Sequence, residues 1–194
     1  MPQVPPELAG NPDRLRWNER YGSGPAPTFR AHEVARLALA AEPPDGPVLE
    51  LACGPSGSAL LAAERGRGVT AVDVSEVALD LLVAEARRRH LEQLISVVQA
   101  DLTTWQPPPR RYAVVLCSGY WDRGVFAVAA GLVAPGGCLG WQALTQAARE
   151  ADPRLPAEWC VAAGEPASLL PPDFAVISQH DARRRRVLLA RRQS

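Results

Sequence analysis

The stretch Val48-Leu49-Glu50-Leu51-Ala52-Cys53-Gly54-Pro55-Ser56-Gly57 is an apolar run that stops abruptly in a turn of small residues. An alanine-rich helical pattern over residues 58–65 follows it, and a second apolar run, residues 69–72, ends in Asp73. The acid stands about 20 residues past the turn, the spacing of a strand–loop–helix–strand nucleotide site. Small residues let the backbone approach a ligand, and an acid at the end of the next strand can accept both hydroxyls of a ribose. The pairing of turn and acid carries the inference, because a glycine-rich turn alone is a weak signal.

On either side of this unit, apolar runs alternate with helical patterns. Upstream, residues 33–40 have helical periodicity and stop before Pro43-Pro44. Downstream, Ser75 is placed to cap a helix running to about His90, with Val77, Leu81 and Leu82 on its buried face. Residues 95–98, 112–117 and 138–144 read as the third, fourth and fifth strands. A helix from about Arg123 to Val133, closed by Pro135-Gly136-Gly137, separates the last two. Residues 174–178 and 187–190 read as two more strands around an arginine-rich turn. The alternation predicts an α/β, Rossmann-like, doubly wound and mostly parallel seven-stranded sheet with a C-terminal antiparallel hairpin. One domain over residues 1–194 is expected. Residues 1–27 form its N-terminal arm, loose as far as Asn11, and residues 145–172 a substrate-side segment with one short helix near 166–170.

The chain has 194 residues, 47% apolar and 22% charged, enough for one α/β domain with a core and short for two. A formal net charge of +0 supplies no global field to draw in nucleic acid or an anionic membrane. All 21 basic residues are arginine, which excludes Schiff-base chemistry and a P-loop lysine. Cys53, Cys117, Cys138 and Cys160 are widely spaced with no CxxC pair, which predicts buried, reduced thiols. His32, His90 and His180 are scattered, so no metal site is expected. The polar, proline-rich start lacks the basic and apolar regions of a signal peptide, and no apolar stretch approaches the ~20 residues of a membrane span. A soluble, cytoplasmic protein follows as the expectation.

In order and spacing these elements resemble a class I S-adenosylmethionine (SAM)-dependent methyltransferase, in the small single-domain branch related to the tellurite-resistance methyltransferases. The resemblance rests on Trp17…Tyr21, on the Glu50 to Gly57 loop, on Val69-Thr70-Ala71-Val72-Asp73-Val74-Ser75 and on Gln99-Ala100-Asp101-Leu102. It continues through Tyr112-Ala113-Val114-Val115-Leu116 and Leu132-Val133-Ala134-Pro135-Gly136-Gly137, and so covers nearly the whole chain. Asp101 and the Pro-Gly-Gly positions separate it from NAD-binding Rossmann domains.

The resemblance implies SAM as cofactor and S-adenosylhomocysteine (SAH) as product. It implies that Glu50 orients the loop and meets the cofactor's amino-acid end, directly or through water. The backbone of Ala52, Cys53 and Gly54 would line the methionine and ribose, and Asp73, with Val74 beside it, would hold the ribose hydroxyls. Asp101 would accept from the adenine amino group, the Leu102 amide would serve the ring nitrogen, and Cys117 and Ser118 would face the sulfonium. Trp17 and Tyr21 read either as a lid over the cofactor or as a packing pair at i and i+4. This chain departs from the family at five points. Ala52 and Ser56 stand where two loop glycines are usual, Pro55 removes an amide donor, Gly119 replaces an expected arginine, and residues 145–163 look shortened.

Methyl transfer from a sulfonium is an in-line displacement that depends on positioning and exclusion of water, so no catalytic triad is required. Tyr120, Asp122 and Arg123 are the candidate catalytic groups. Asp122 is equally a candidate N-cap, and Trp121 reads as core. The expected function is methyl transfer to a small-molecule acceptor, metalloid or xenobiotic acceptors included, by a monomer or homodimer. The alternative is a degenerate, non-catalytic SAM- or SAH-binding protein. No nucleic-acid partner is expected: Arg183-Arg184-Arg185-Arg186 reads as a solvated hairpin turn, with Asp173 and Asp181 nearby. His180 beside Asp181 reads as structural.

Overall fold

The computed structural model describes residues 4–194. Five strands, β1 (Val48–Leu51), β2 (Val69–Asp73), β3 (Ile95–Gln99), β4 (Tyr112–Ser118) and β5 (Val133–Thr145), run parallel to one another. β6 (Cys160–Val161) adds a short parallel pairing to β5, and β7 (Phe174–Ala182) and β8 (Arg185–Arg192) form the antiparallel ending. The helices are α1 (Pro12–Ser23), α2 (Glu33–Ala40), α3 (Gly57–Glu64), α4 (Glu76–Arg88), α5 (Arg123–Leu132) and α6 (Gln146–Ala151). Across the sheet the order is β3-β2-β1-β4-β5-β8-β7, with β6 off this path. The seven expected strands are therefore present, and β6 makes an eighth.

Strands covered on both faces must be apolar on both, which is why β4 reads as a hydrophobic run and β1 departs from one only at the buried Glu50. On one face Val48, Val114 and Leu116 pack with Ala35, Leu60 and Leu82 from α2, α3 and α4. On the other, Leu49, Val115, Leu139 and Leu188 pack under α5. Phe126 and Trp121 meet the Trp141 ring edge-on at 5.1 and 6.1 Å, and Trp141 Nε1 donates to the Tyr120 carbonyl at 3.0 Å. A buried indole with its N–H satisfied fixes the far end of β4, where the chain turns into α5. The strand order reverses between β1 and β4, and the crevice this opens at the carboxyl ends is where such sheets hold ligands.

Several expectations need correction. The Pro135-Gly136-Gly137 stretch does not close α5, which ends at Leu132; it lies inside β5, where the β4–β5 register shifts between Tyr112 and Val114. Gly136 has φ +74°, and a Cβ on Gly137 would sit 2.8 Å from the Ala113 and Ala134 carbonyl oxygens, so glycines that read as a turn serve a bulge. On α4 the buried positions are Ala78, Leu79, Leu82, Glu85 and Ala86; Val77 and Leu81 are only half-buried. Residues 4–11 are not loose: a 3-10 turn spans Pro6–Leu8, Leu8 is buried, and Asn11 caps α1, while residues 1–3 lie outside the described residues. Residues 145–172 carry more than one short helix: α6, β6 and two 3-10 turns, Ala157–Trp159 and Ala167–Leu169. In the arginine run, Arg183 and Arg184 form the turn, while Arg185 and Arg186 already belong to β8. No described helix is long and apolar enough to cross a membrane.

Candidate functional site

The turn after β1 is held by two buried acids. Glu50, 1% exposed, accepts from Ser56 Oγ at 2.6 Å, and that hydroxyl in turn accepts from the Ser58 and Ala59 amides at 3.0 Å. Ser56 is thus the N-cap of α3, and the residue that looked like a lost glycine ties the helix to the strand-end acid. Burial pushes the Glu50 carboxyl up to about 7, with the Ser56 hydroxyl and the Ala59 amide pulling the other way and Asp73 adding to the rise. Asp73, 7% exposed, accepts from the Gly54 amide at 2.7 Å and the Ser75 amide at 2.9 Å. Burial raises its pKa and the Ser75, Gly54 and Val74 amides oppose the rise. Val74 is half-buried, and its carbonyl accepts from Gln99 Nε2 at 3.0 Å.

The loop backbone is bent into the left-handed region at Ala52, φ +47°, and Gly54, φ +56°. An alanine there is strained by roughly 1–2 kcal/mol, which the surrounding packing must hold. A Cβ on Gly54 would meet the Tyr21 hydroxyl at 2.9 Å, so the close approach at this glycine is to α1. At Gly57 a Cβ would stand 2.3 Å from the Phe29 carbonyl oxygen and 2.4 Å from the Arg30 carbonyl carbon. Gly57→Ala should therefore destabilise the protein by about 1–2 kcal/mol: backbone displacement of about 1–3 kcal/mol outweighs a helix-propensity gain below about 1 kcal/mol. Urea denaturation checks this, and a variant as stable as the parent would contradict the close contact.

Helix α1 lies across these strand ends. Asn11 Nδ2 donates to Asp101 Oδ2 at 2.8 Å while the other Asp101 oxygen accepts from the Thr103 amide and hydroxyl at 2.9 and 2.7 Å. Burial works against the Asp101 charge, but the Thr103 and Asn11 bonds outweigh it and hold the carboxyl below its ordinary range. Glu76 collects Arg14, Asn18 Nδ2 at 2.8 Å and Gln99 Nε2 at 2.9 Å. Trp17 and Tyr21 stack at 5.7 Å between centroids. The Arg16 guanidinium lies 5.1 Å over the Trp159 ring, so α1 also touches the 145–172 segment. A cavity of about 520 Å³ opens between the end of α1, Pro25, Pro55 and Leu81.

The structure brings Glu50, Ala52, Cys53, Gly54, Asp73 and Tyr21 together, and sets Asp101 and Leu102 beyond β3 on the same carboxyl edge. Cys117 and Ser118 are not presented together. As neighbours on a strand they point to opposite faces: Cys117 turns into the core beside Trp121, and Ser118 turns toward the other face. All four cysteines are buried and unpaired, and burial pushes the Cys53 and Cys117 thiols well up.

Of the candidate catalytic groups, Asp122 caps α5 through the Val125 amide at 2.8 Å. Arg123 makes a bidentate pair with Glu165 at 2.8 and 3.1 Å. Burial, then Asp122, raises the Tyr120 phenol, and burial, then Asp73, pushes Tyr21 up to about 12, so both phenols are proton donors at neutral pH. His180 pairs with Glu33 at 3.1 Å. Asn11, Glu76 and Gln142 were not among the expected site residues, while Ser56 read as a replaced loop glycine and Arg185 as part of a solvated turn. Only the Asn11-Pro12 and Ser56-Gly57 helix starts carried a local signal, that of a cap.

Residues 48–137 match the family described as "Methyltransferase domain". No curated protein matches the sequence. Among solved structures, the CcbJ methyltransferase from Streptomyces caelestis is similar at a TM-score of 0.69 and 19% identity, over 91% of this chain and 96% of that one. TehB from Haemophilus influenzae is similar at 0.69 and 17%, over 91% and 67%. The glycopeptide N-methyltransferase MtfA, solved with SAM, is similar at 0.61 and 20%, over 87% and 97%. At these identities the likeness shows the fold. Residues 48–137 match a methyltransferase domain, and the chain as a whole shares the α/β fold of these solved methyltransferases.

Proposed function

We propose that the protein transfers the methyl group of SAM to a small-molecule acceptor. The observation that carries this reading is the pair of acids on the carboxyl edge beside the switch point, Asp73 fixed on the Gly54 amide at the end of β2 and Asp101 beyond β3. The residues fit the cofactor. Asp101 already accepts from the –NH₂ group of Asn11, the kind of donor adenine presents, and Asp73 has unused lone pairs on both oxygens. Asp73 and Val74 would hold the ribose, Asp101 and the Leu102 amide the adenine, and Glu50 and the Ala52–Gly54 backbone the amino-acid end.

SAM supplies a methyl group on a sulfonium, a leaving group that departs as a neutral thioether. This chain's own residues position and enclose. Glu50 and Ser56 fix the loop, Asp73 pins Gly54, and α1 with Trp17 and Tyr21 covers the strand ends and excludes water. Tyr120 stays protonated and can donate a hydrogen bond to an acceptor, while Asp122 and Arg123 shape the start of α5. Ser56, which stands where a loop glycine is usual, caps α3 and holds the loop, and so supports cofactor binding in either an enzyme or a binding protein.

Calorimetric titration of the purified chain tests the proposal. SAM and SAH should each bind saturably, one per chain, and ATP and NAD should not. Failure of both SAM and SAH to bind would overturn it. Transfer of label from methyl-labelled SAM to a panel of small acceptors, read by mass spectrometry, separates an enzyme from a binding protein.

A further inference from the structure

The carboxyl ends of β4, β5 and β8 carry polar groups that the cofactor site does not use. Ser118 and Gln142 are register partners on β4 and β5, and among the described residues Ser118 Oγ and Gln142 Oε1 are buried with no hydrogen-bond partner. Gln142 is 9% exposed. Leaving such groups unmatched costs about 1–3 kcal/mol each, so they point to a ligand. On the same face, two positions along β5, Leu144 pairs with Arg185 of β8. Arg185 is half-buried, and among the described residues it makes no ion pair and no side-chain hydrogen bond. Its neighbours are matched: Arg186 by Asp181 and Arg123 by Glu165. Nη1 of Arg185 comes within 3.6 Å of where a Cβ on Gly119 would be. Gly119, at φ +88°, is the position where an arginine was expected. The missing side chain clears the room that a guanidinium from another strand fills. His32, at the start of α2, lies in the same field: burial, then Arg185 and Arg36, lowers its pKa, so its imidazole is neutral. Glu33 is engaged by His180 and does not neutralise Arg185.

We propose that Arg185, Gln142 and Ser118 form the acceptor subsite and that it takes a small molecule bearing an anionic oxygen group, a carboxylate or an oxyanion. This rests on the methyl-transfer reading and narrows its substrate class. A guanidinium offers two parallel donors to such a group and Ser118 adds a hydroxyl donor, while Gln142 Oε1, an acceptor, is matched by a hydroxyl or amine N–H elsewhere on the same molecule.

Equilibrium dialysis against benzoate, benzamide and sodium selenite, with and without saturating SAH, tests this. Benzoate or selenite should be retained saturably, and benzamide about tenfold less tightly or worse, the equivalent of one lost charge-assisted bond. Retention of benzoate alone assigns a carboxylate, and of selenite alone an oxyanion. Arg185→Met should weaken the retained anion about tenfold or more, Arg185→Lys, which keeps the charge and loses the fork, should restore only part of it, and the turn variant Arg184→Gln should bind like the parent. Melting curves of the Arg185 variants separate loss of the site from loss of the fold. Benzamide binding as tightly as benzoate, Arg185→Met binding like the parent, or SAH bound with neither anion retained would each overturn the subsite. Anion retention that depends on Arg185 in a protein that binds no SAH would keep the subsite and overturn the methyl-transfer reading instead.

Discussion

Asp73→Ala is expected to reduce SAH affinity about a hundredfold or more: the two charge-assisted bonds proposed between Asp73 and the ribose hydroxyls, at about 1.5–3 kcal/mol each, would vanish together. The same change strips the Gly54 and Ser75 amides of their buried acceptor. Two orphaned donors at about 1–3 kcal/mol each put the stability loss at roughly 2–6 kcal/mol. Titration below the melting temperature, with circular dichroism to confirm folding, separates the two effects. Asp73→Asn is no rescue, because its single carbonyl oxygen can serve only one amide while its –NH₂ group meets the other donor. Unchanged SAH binding in folded Asp73→Ala would remove Asp73 from the proposed site.

Glu50 makes stability depend on pH in the direction opposite to a paired surface carboxylate. Its folded value lies near 7 and its ordinary value is 4.5, so between these the folded chain binds more protons than the unfolded one. The stability it contributes is complete below about pH 4.5 and is lost as pH rises through about 7, on the order of 3 kcal/mol in all. Burial raises Asp73 as well, which adds a slope of the same sign, whereas His32, lowered by burial, slopes the other way below pH 6.5. The carboxyls of Asp101, Glu76 and Glu165 are held low and titrate beneath this window. Comparing Glu50→Gln with the parent by urea denaturation at pH 5, 6, 7 and 8 cancels these shared terms. The variant should gain on the parent by about 2–3 kcal/mol between pH 5 and pH 8. A constant difference across that range would contradict the buried, proton-holding Glu50.

The parallel strands were legible because burial on both faces leaves an unmistakable apolar run, and the crevice followed from their order. The Pro135-Gly136-Gly137 bulge was not, since the same residues suit a turn, and only the ladder beside Ala113 shows which is built. The pairing of a small-residue turn with Asp73 was legible in local spacing and the Ala52–Gly54 backbone in the family resemblance, but that Asp73 pins the Gly54 amide shows only in three dimensions. Asn11 on Asp101 and Arg185 beside Gly119 join residues distant in the chain, and no periodicity encodes such a contact. Ser56 was misjudged for a simpler reason: a family pattern records that glycine is usual there, while the hydroxyl's partners, Glu50 and two amides, appear only in three dimensions.

Helix α1 reaches both halves of the crevice, with Asn11 on Asp101 at one end and Arg16 over Trp159 at the side. One helix thus ties the loop after β3 to the 145–172 segment, and lifting α1 from Asp101 would also withdraw the cation from Trp159. If adenine replaces Asn11 on Asp101 as proposed, its arrival should loosen the Arg16–Trp159 contact, and such a coupling is the same in both directions.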